Sequence, residues 1–143
     1  LDEMNLYETL VSEHKKGTIV LGTIQGDIHD IGKSVFKNAA VLSGFDVIDL
    51  GVDVSSQMFI DAIYTHHPDI LGISIVLTDV VKNAVATLER IKNEKFEDLK
   101  IIIGGVAANA LKDAFPHIDA CTNNVLQGLE ICSNMVKCHE KKH

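Results

Sequence analysis

"TIVLGTIQGDIHDIGKSVFKNAAVLSG", residues 18–44, contains a change of period that decides the fold. Thr18 to Thr23 is a short aliphatic run of strand character, whereas Val35, Phe36, Ala39, Ala40 and Leu42 recur at helical spacing. Gly44 follows that stripe at the place where a left-handed residue ends a helix. Strand, turn and helix therefore succeed one another, and the turn "GTIQGDIHDIGKS" (22–34) carries Asp27, His29 and Asp30. Three acid or imidazole groups at a strand-to-helix turn call for a chemical reason.

The alternation continues along the chain. Strands are expected at 18–23, 46–51, 69–76 and 100–105, with a weaker one at "IDACT", 118–122. A second helix is expected to open at Ser55-Ser56, carry a stripe of Met58, Phe59, Ala62 and Ile63, and stop before Pro68. A third stripe comprises Val80, Val81, Ala84, Val85, Leu88 and Ile91. A last helix, opened by Asn123 or Asn124, carries Leu126, Leu129, Cys132, Met135 and Val136. Helices alternating with short apolar strands predict an α/β class with a five-stranded parallel sheet in flavodoxin-like order 2-1-3-4-5 and helices on both faces. In such a sheet ligands sit beyond the carboxyl ends of the strands, which is where the 22–34 loop falls.

Length and composition limit what this domain does. A chain of 143 residues with 46% hydrophobic content fits one core. Twenty acidic against 13 basic side chains give a formal charge of -7, a poor footprint for nucleic acid. The longest mainly apolar stretch, 101–111, is about half the ~20 residues a membrane helix needs. No basic region precedes an apolar segment at the acidic N-terminus, so no secretion signal is read and a cytoplasmic location is the expectation. Cys121, Cys132 and Cys138 show neither disulfide nor zinc spacing, and the "CHEKKH" tail reads as solvated chain. Leu1, Met4, Tyr7, Leu10 and Val11 make an amphipathic stripe before Gly17, expected as the remnant of an N-terminal helical cap or linker (1–16), or as a helix on the sheet edge, ahead of the main domain (17–143).

Three chemistries compete for the loop. Gly32-Lys33-Ser34 resembles the end of a phosphate-binding loop, but Asp27 stands where that pattern needs glycine, and carboxylates at the helix mouth repel a triphosphate. An acidic metal pocket of Asp27, Asp30 and Asp53 resembles a phosphoacceptor domain, but Ser74 and Thr78 stand where the third strand would offer an aspartate, and Gly104-Gly105 where a lysine would follow the fourth. The third reading pairs Asp27 with His29, as carboxylate and metal-ligating imidazole. One imidazole makes a poor site for a free ion, so the metal would arrive inside a haem or a corrin. A surface turn capped by an aspartate is the bland alternative. "GGVAANA" after the fourth strand has almost no side-chain bulk, which leaves an open slot beside the candidate ligand.

"GDIHDIGKS", followed by "LSGFDVIDLGVDV", "GIS" and "IIIGG", resembles the cobalamin-binding domain of corrinoid proteins and of cobalamin-dependent methionine synthase, from about Gly17 to Cys138. The resemblance implies cobalamin bound base-off, with His29 as the ligand beneath cobalt and Asp27 hydrogen-bonded behind it. It further implies cofactor contacts from Asp30, Ile31, Gly32, Ser74, Val76, Thr78, Gly104 and Gly105, with the displaced nucleotide tail in a slot beside the sheet. The implied role is methyl carriage, in the methylcobalamin form, between donor-side and acceptor-side methyltransferase proteins, with a reductive activation protein as a further partner. His29 and Asp27 would then be the catalytic pair. A hydroxyl often found six residues after the serine is replaced by Val80, and Thr78 is the nearest substitute. Rival readings are the small subunit of an adenosylcobalamin mutase and a non-catalytic cobalamin store, chaperone or sensor.

Overall fold

A computed structural model describes residues 16–140, with side chains described through Lys137. The expectation for the N-terminal stripe lies outside these residues; of the C-terminal tail, 138–140 belong to the last helix and 141–143 lie outside. The elements are β1 (Gly17–Thr23), α1 (Ile31–Leu42), β2 (Phe45–Asp49), α2 (Ser56–His66), β3 (Ile70–Ser74), α3 (Val81–Asn93), β4 (Lys100–Gly104), α4 (Ala108–Ala114), β5 (Ala120–Thr122) and α5 (Val125–Glu140). A single 3₁₀ turn, Thr78–Val80, leads into α3. All strand pairs are parallel and the order is β2-β1-β3-β4-β5, the expected flavodoxin-like sheet. No helix among the described residues is long and apolar enough to cross a membrane.

The pleat divides the apolar side chains into two cores. Val20, Leu71, Ile73 and Ile103 face α2, α3 and α4, where Phe59, Ile63, Ala84, Leu88, Ile91, Leu111 and Phe115 close the larger core. Each large side chain fully buried there contributes about 1.5–3 kcal/mol. The opposite face carries Ile19, Leu21, Ile70 and Ile102 against Ala40 of α1 and Cys132 and Val136 of α5. That core is the smaller of the two.

Local chemistry explains three of the helix ends. The Ser55 hydroxyl caps α2 by accepting from Met58 N–H at 3.2 Å, and the Asn124 side chain accepts from Gln127 N–H at 3.0 Å to open α5. Gly44 takes φ 103° after α1, as the stripe required. The inward face of α1 is the expected one in part. Ala40 is buried and Phe36 packs against the core, but Val35 and Leu42 are exposed and Lys33 is buried. A lysine turned inward is something a hydrophobic stripe does not encode. The short helix α4 was also not anticipated, since its alanine run reads as open backbone, yet Ala107, Ala108 and Leu111 pack into the larger core.

Candidate functional site

The loop after β1 is shaped by its main chain. Ile24 pairs with Val54, Gly26 takes φ 91° and donates its N–H to Asp53 Oδ1 at 2.7 Å, and Asp27 N–H donates back to Ile24 O at 3.0 Å. This tight turn drops the Asp27 carboxylate into the protein, where the residue is fully buried. Oδ2 accepts from Val76 N–H (2.8 Å) and Leu77 N–H (3.0 Å), while Oδ1 accepts from His29 N–H (3.0 Å) and His29 Nδ1 (2.7 Å). Burial opposes ionisation of this group, but the hydrogen bonds from the His29 and Val76 main chain, the His29 ring and Leu77 outweigh it and hold its pKa at about 2. A carboxylate with no proton only accepts, so Nδ1 of His29 carries the hydrogen, and in the neutral ring the lone pair is on Nε2. The His29 side chain is 52% exposed, its carbonyl accepts from the Thr23 hydroxyl at 3.2 Å, and Nε2 has no partner among the described residues.

Beside this pair, Lys33 is almost wholly buried in the first turn of α1. Its Nζ lies 2.6 Å from Asp30 Oδ1 and 2.6 Å from Asp49 Oδ1 at the end of β2. Burial works against its charge, but the hydrogen bonds to Asp30 and Asp49 prevail and raise its pKa. The lysine of "GKS" is therefore saturated by carboxylates, which removes the group a phosphate-binding loop would direct at an anion.

Between α1 and α5 a slot of about 670 Å³ runs down the sheet face. Sheet register explains its shape. At the carboxyl edge, Thr23, Ser74, Gly104 and Thr122 stand side by side, and two residues below them Leu21, Gly72, Ile102 and Ala120 do the same. The upper row is polar or bare and the lower row is apolar. A Cβ on Gly72 would stand 2.9 Å from Leu21 Cδ1, and one on Gly128 of α5 would meet Thr122 at 3.3 Å and Phe36 at 3.5 Å, so both glycines keep the slot open. Gly105, at φ 110°, has the Ile75 carbonyl oxygen 2.2 Å from where its Cβ would be.

Of the residues singled out in the sequence, His29, Asp30, Ile31, Gly32, Ser74, Val76, Gly104 and Gly105 all line this slot. Asp27 lies behind His29 and outside the lining. Thr78 is exposed in the 3₁₀ turn, does not line the slot, and makes no hydrogen bond to Asp27. The main-chain N–H groups of Val76 and Leu77 occupy the oxygen that a hydroxyl at position 78 or 80 would have addressed. Asp53 is committed to the Gly26 turn. Sequence reasoning missed Asp49, Gly72, Thr122 and Gly128. A glycine inside the aliphatic run "DILGISIV" and another inside the α5 stripe were the available signals, because each forgoes packing for close approach.

The B12 binding domain family matches residues 17–122 of this chain. The chain belongs to the B12-binding domain family. Among curated relatives, the dimethylamine corrinoid protein of Methanosarcina barkeri is 37% identical over 98 residues, 68% of this chain and 46% of that protein. The crystal structure of a cobalamin-binding protein from Desulfitobacterium hafniense superposes with a TM-score of 0.79 at 38% identity, covering 85% of this chain and 60% of the other. The structure of the Methanosarcina barkeri monomethylamine corrinoid protein shares the fold, with a TM-score of 0.76 at 24% identity over 92% of this chain and 66% of that one. This B12-binding domain spans about half the length of the curated relatives it matches.

The residues of this B12-binding domain fit a corrinoid. An imidazole held through Nδ1, with its far nitrogen unpartnered among the described residues, stands at the mouth of a slot whose floor and walls are bared by glycines. Ile28, Ile31, Val106 and Leu126 are each at least 74% exposed, an apolar surface in the same part of the fold that suits a broad, largely apolar ring system.

Proposed function

We propose that this domain is a corrinoid methyl carrier that holds cobalamin base-off with His29 as the lower axial ligand, in a methyltransferase system. The observation that carries this reading is the 2.7 Å contact between His29 Nδ1 and the buried Asp27 carboxylate at the mouth of the glycine-lined slot. A bound cobalamin supplies a cobalt centre that accepts a methyl group from one partner and releases it to another. Asp27 fixes the ring's tautomer and orientation, so that in the neutral ring Nε2 is the nitrogen with the free lone pair. The slot, from the Ser74–Gly104 row down to Gly72, takes the displaced nucleotide tail. Curated relatives named dimethylamine and trimethylamine corrinoid proteins support methyl carriage over a mutase subunit. On this reading the partners are donor-side and acceptor-side methyltransferases and a reductive activation protein.

The test is a visible absorption titration of the purified protein with hydroxocobalamin and methylcobalamin beside a His29→Ala variant. The expected result is a base-off, imidazole-ligated spectrum in the wild type that is absent from the variant. An unchanged cobalamin spectrum in the wild type, or an identical spectrum in both proteins, overturns the assignment.

A further inference from the structure

The first turn of α1 raises a mechanical question. Ile31 is 85% exposed, Gly32 has nothing within 4 Å of where a Cβ would be, and the N-cap residue Asp30 makes no side-chain bond to a helix N–H. The turn thus lacks both apolar packing and a side-chain cap, the usual ways of holding a helix start. Yet it forms one wall of the slot and follows His29 directly in the chain. What ties it down is Lys33, whose side chain is 1% exposed and bridges Asp30 and Asp49 at 2.6 Å each. Asp49 is itself fixed, because its Oδ1 also accepts from Gly51 N–H at 2.9 Å. The other oxygen of Asp30 accepts from Ser34 Oγ at 2.9 Å.

We propose that Lys33 is the positioning residue of this site: its bridge from Asp30 to Asp49 locks the first turn of α1 to the end of β2, and so fixes the His29 ring and the near wall of the slot. His29 is held on its N-terminal side by the Asp27 carboxylate and the Thr23 hydroxyl. On its C-terminal side the next side-chain anchor is the lysine bridge. Without Lys33, the carboxylates of Asp30 and Asp49 lose the buried cation they share, and only the half-exposed Lys37, 3.8 Å from Asp49 Oδ2, remains beside them. Their repulsion moves the turn outward and lets the imidazole rotate off Asp27.

The consequence for the cofactor rests on the methyl-carrier reading, whereas the consequence for His29 does not, so the experiment has two arms. The first uses apo protein with ¹⁵N-labelled histidine. The wild type should show a slowly exchanging Nδ1–H for His29, and Lys33→Met should lose it or average it. Asp49→Asn, which removes charge but keeps shape, should have a smaller effect in the same direction. The second arm loads each protein with hydroxocobalamin, reduces it to the cobalt(II) state, and records the EPR nitrogen splitting together with the dissociation constant. Binding should weaken by about 10- to 100-fold in Lys33→Met, with part of the loaded population lacking axial nitrogen. A merely structural lysine would lower thermal stability and leave both the ring proton and the nitrogen splitting as in the wild type. That result overturns the proposal. A wild type with the protected ring proton but no axial nitrogen would overturn the cofactor reading and leave the role of Lys33 to be decided by the first arm.

Discussion

Replacing Asp27 by asparagine changes one atom and should remove more stability than most single surface or loop substitutions. All four partners of the carboxylate are donors: three main-chain N–H groups and the His29 Nδ1–H. An amide brings one acceptor and one donor, so in either orientation its NH₂ faces two N–H groups. With Oδ2 replaced these are Val76 and Leu77; with Oδ1 replaced they are the two nitrogens of His29. Each buried donor left without an acceptor costs about 1–3 kcal/mol. A separate route gives a similar figure. The Asp27 pKa is lowered from 3.8 to about 2, and at about 1.36 kcal/mol per unit that depression corresponds to roughly 2.5 kcal/mol of stability. The folded-state pKa is the lower one, so this stabilisation is complete above about pH 4 and is lost as pH falls through about 2. Urea unfolding of the apo proteins, followed by far-UV circular dichroism, should show Asp27→Asn less stable than wild type by about 2–3 kcal/mol at pH 7. The gap should close as acid protonates the wild-type carboxylate. A variant within about 0.5 kcal/mol of wild type at pH 7, or a gap that stays constant down to pH 2.5, would refute the reasoning.

Two further substitutions separate the slot from the scaffold. Gly72→Leu puts a side chain into the middle of the slot floor, where the nearest obstacle is the flexible end of Leu21 at 2.9 Å; it should weaken hydroxocobalamin binding at least ~10-fold while the far-UV spectrum stays that of the wild type, and unchanged affinity would remove the slot from the binding site. Gly105→Ala, by contrast, needs a Cβ 2.2 Å from the Ile75 carbonyl oxygen at φ 110°, so it should lower Tm by ~10 °C even without cofactor. A shift under about 3 °C would mean that the turn relaxes freely.

Much of this protein was legible because its information is local. Strand positions came within about two residues of those observed, since β-branched runs and the turns between them are properties of a few neighbouring residues. The Ser55 cap, the Gly44 turn and the Asp27–His29 pair were legible for the same reason: donor and acceptor lie at most a few positions apart. What failed were parts of the helix stripes. Phe36 and Ala40 of α1 pack inward as expected, but Val35 and Leu42, like Leu126 of α5, are exposed, and Lys33 is buried against Asp49, 16 residues further on; no hydrophobic period records a buried salt bridge.

The sequence by itself determined the order of elements, the parallel α/β class and the pairing of Asp27 with His29. Only the tertiary structure decided that Val76 and Leu77, 49 and 50 residues away, supply the N–H groups that keep Asp27 ionised. It also decided that Gly72, Gly104 and Gly128 open one continuous slot, and that Lys33 spends its charge inside the protein. The physical reason is the crossover of parallel strands. It brings β1, β3 and β4 into one register, so that groups remote in the chain meet at the same sheet edge with nothing in their local composition to announce it.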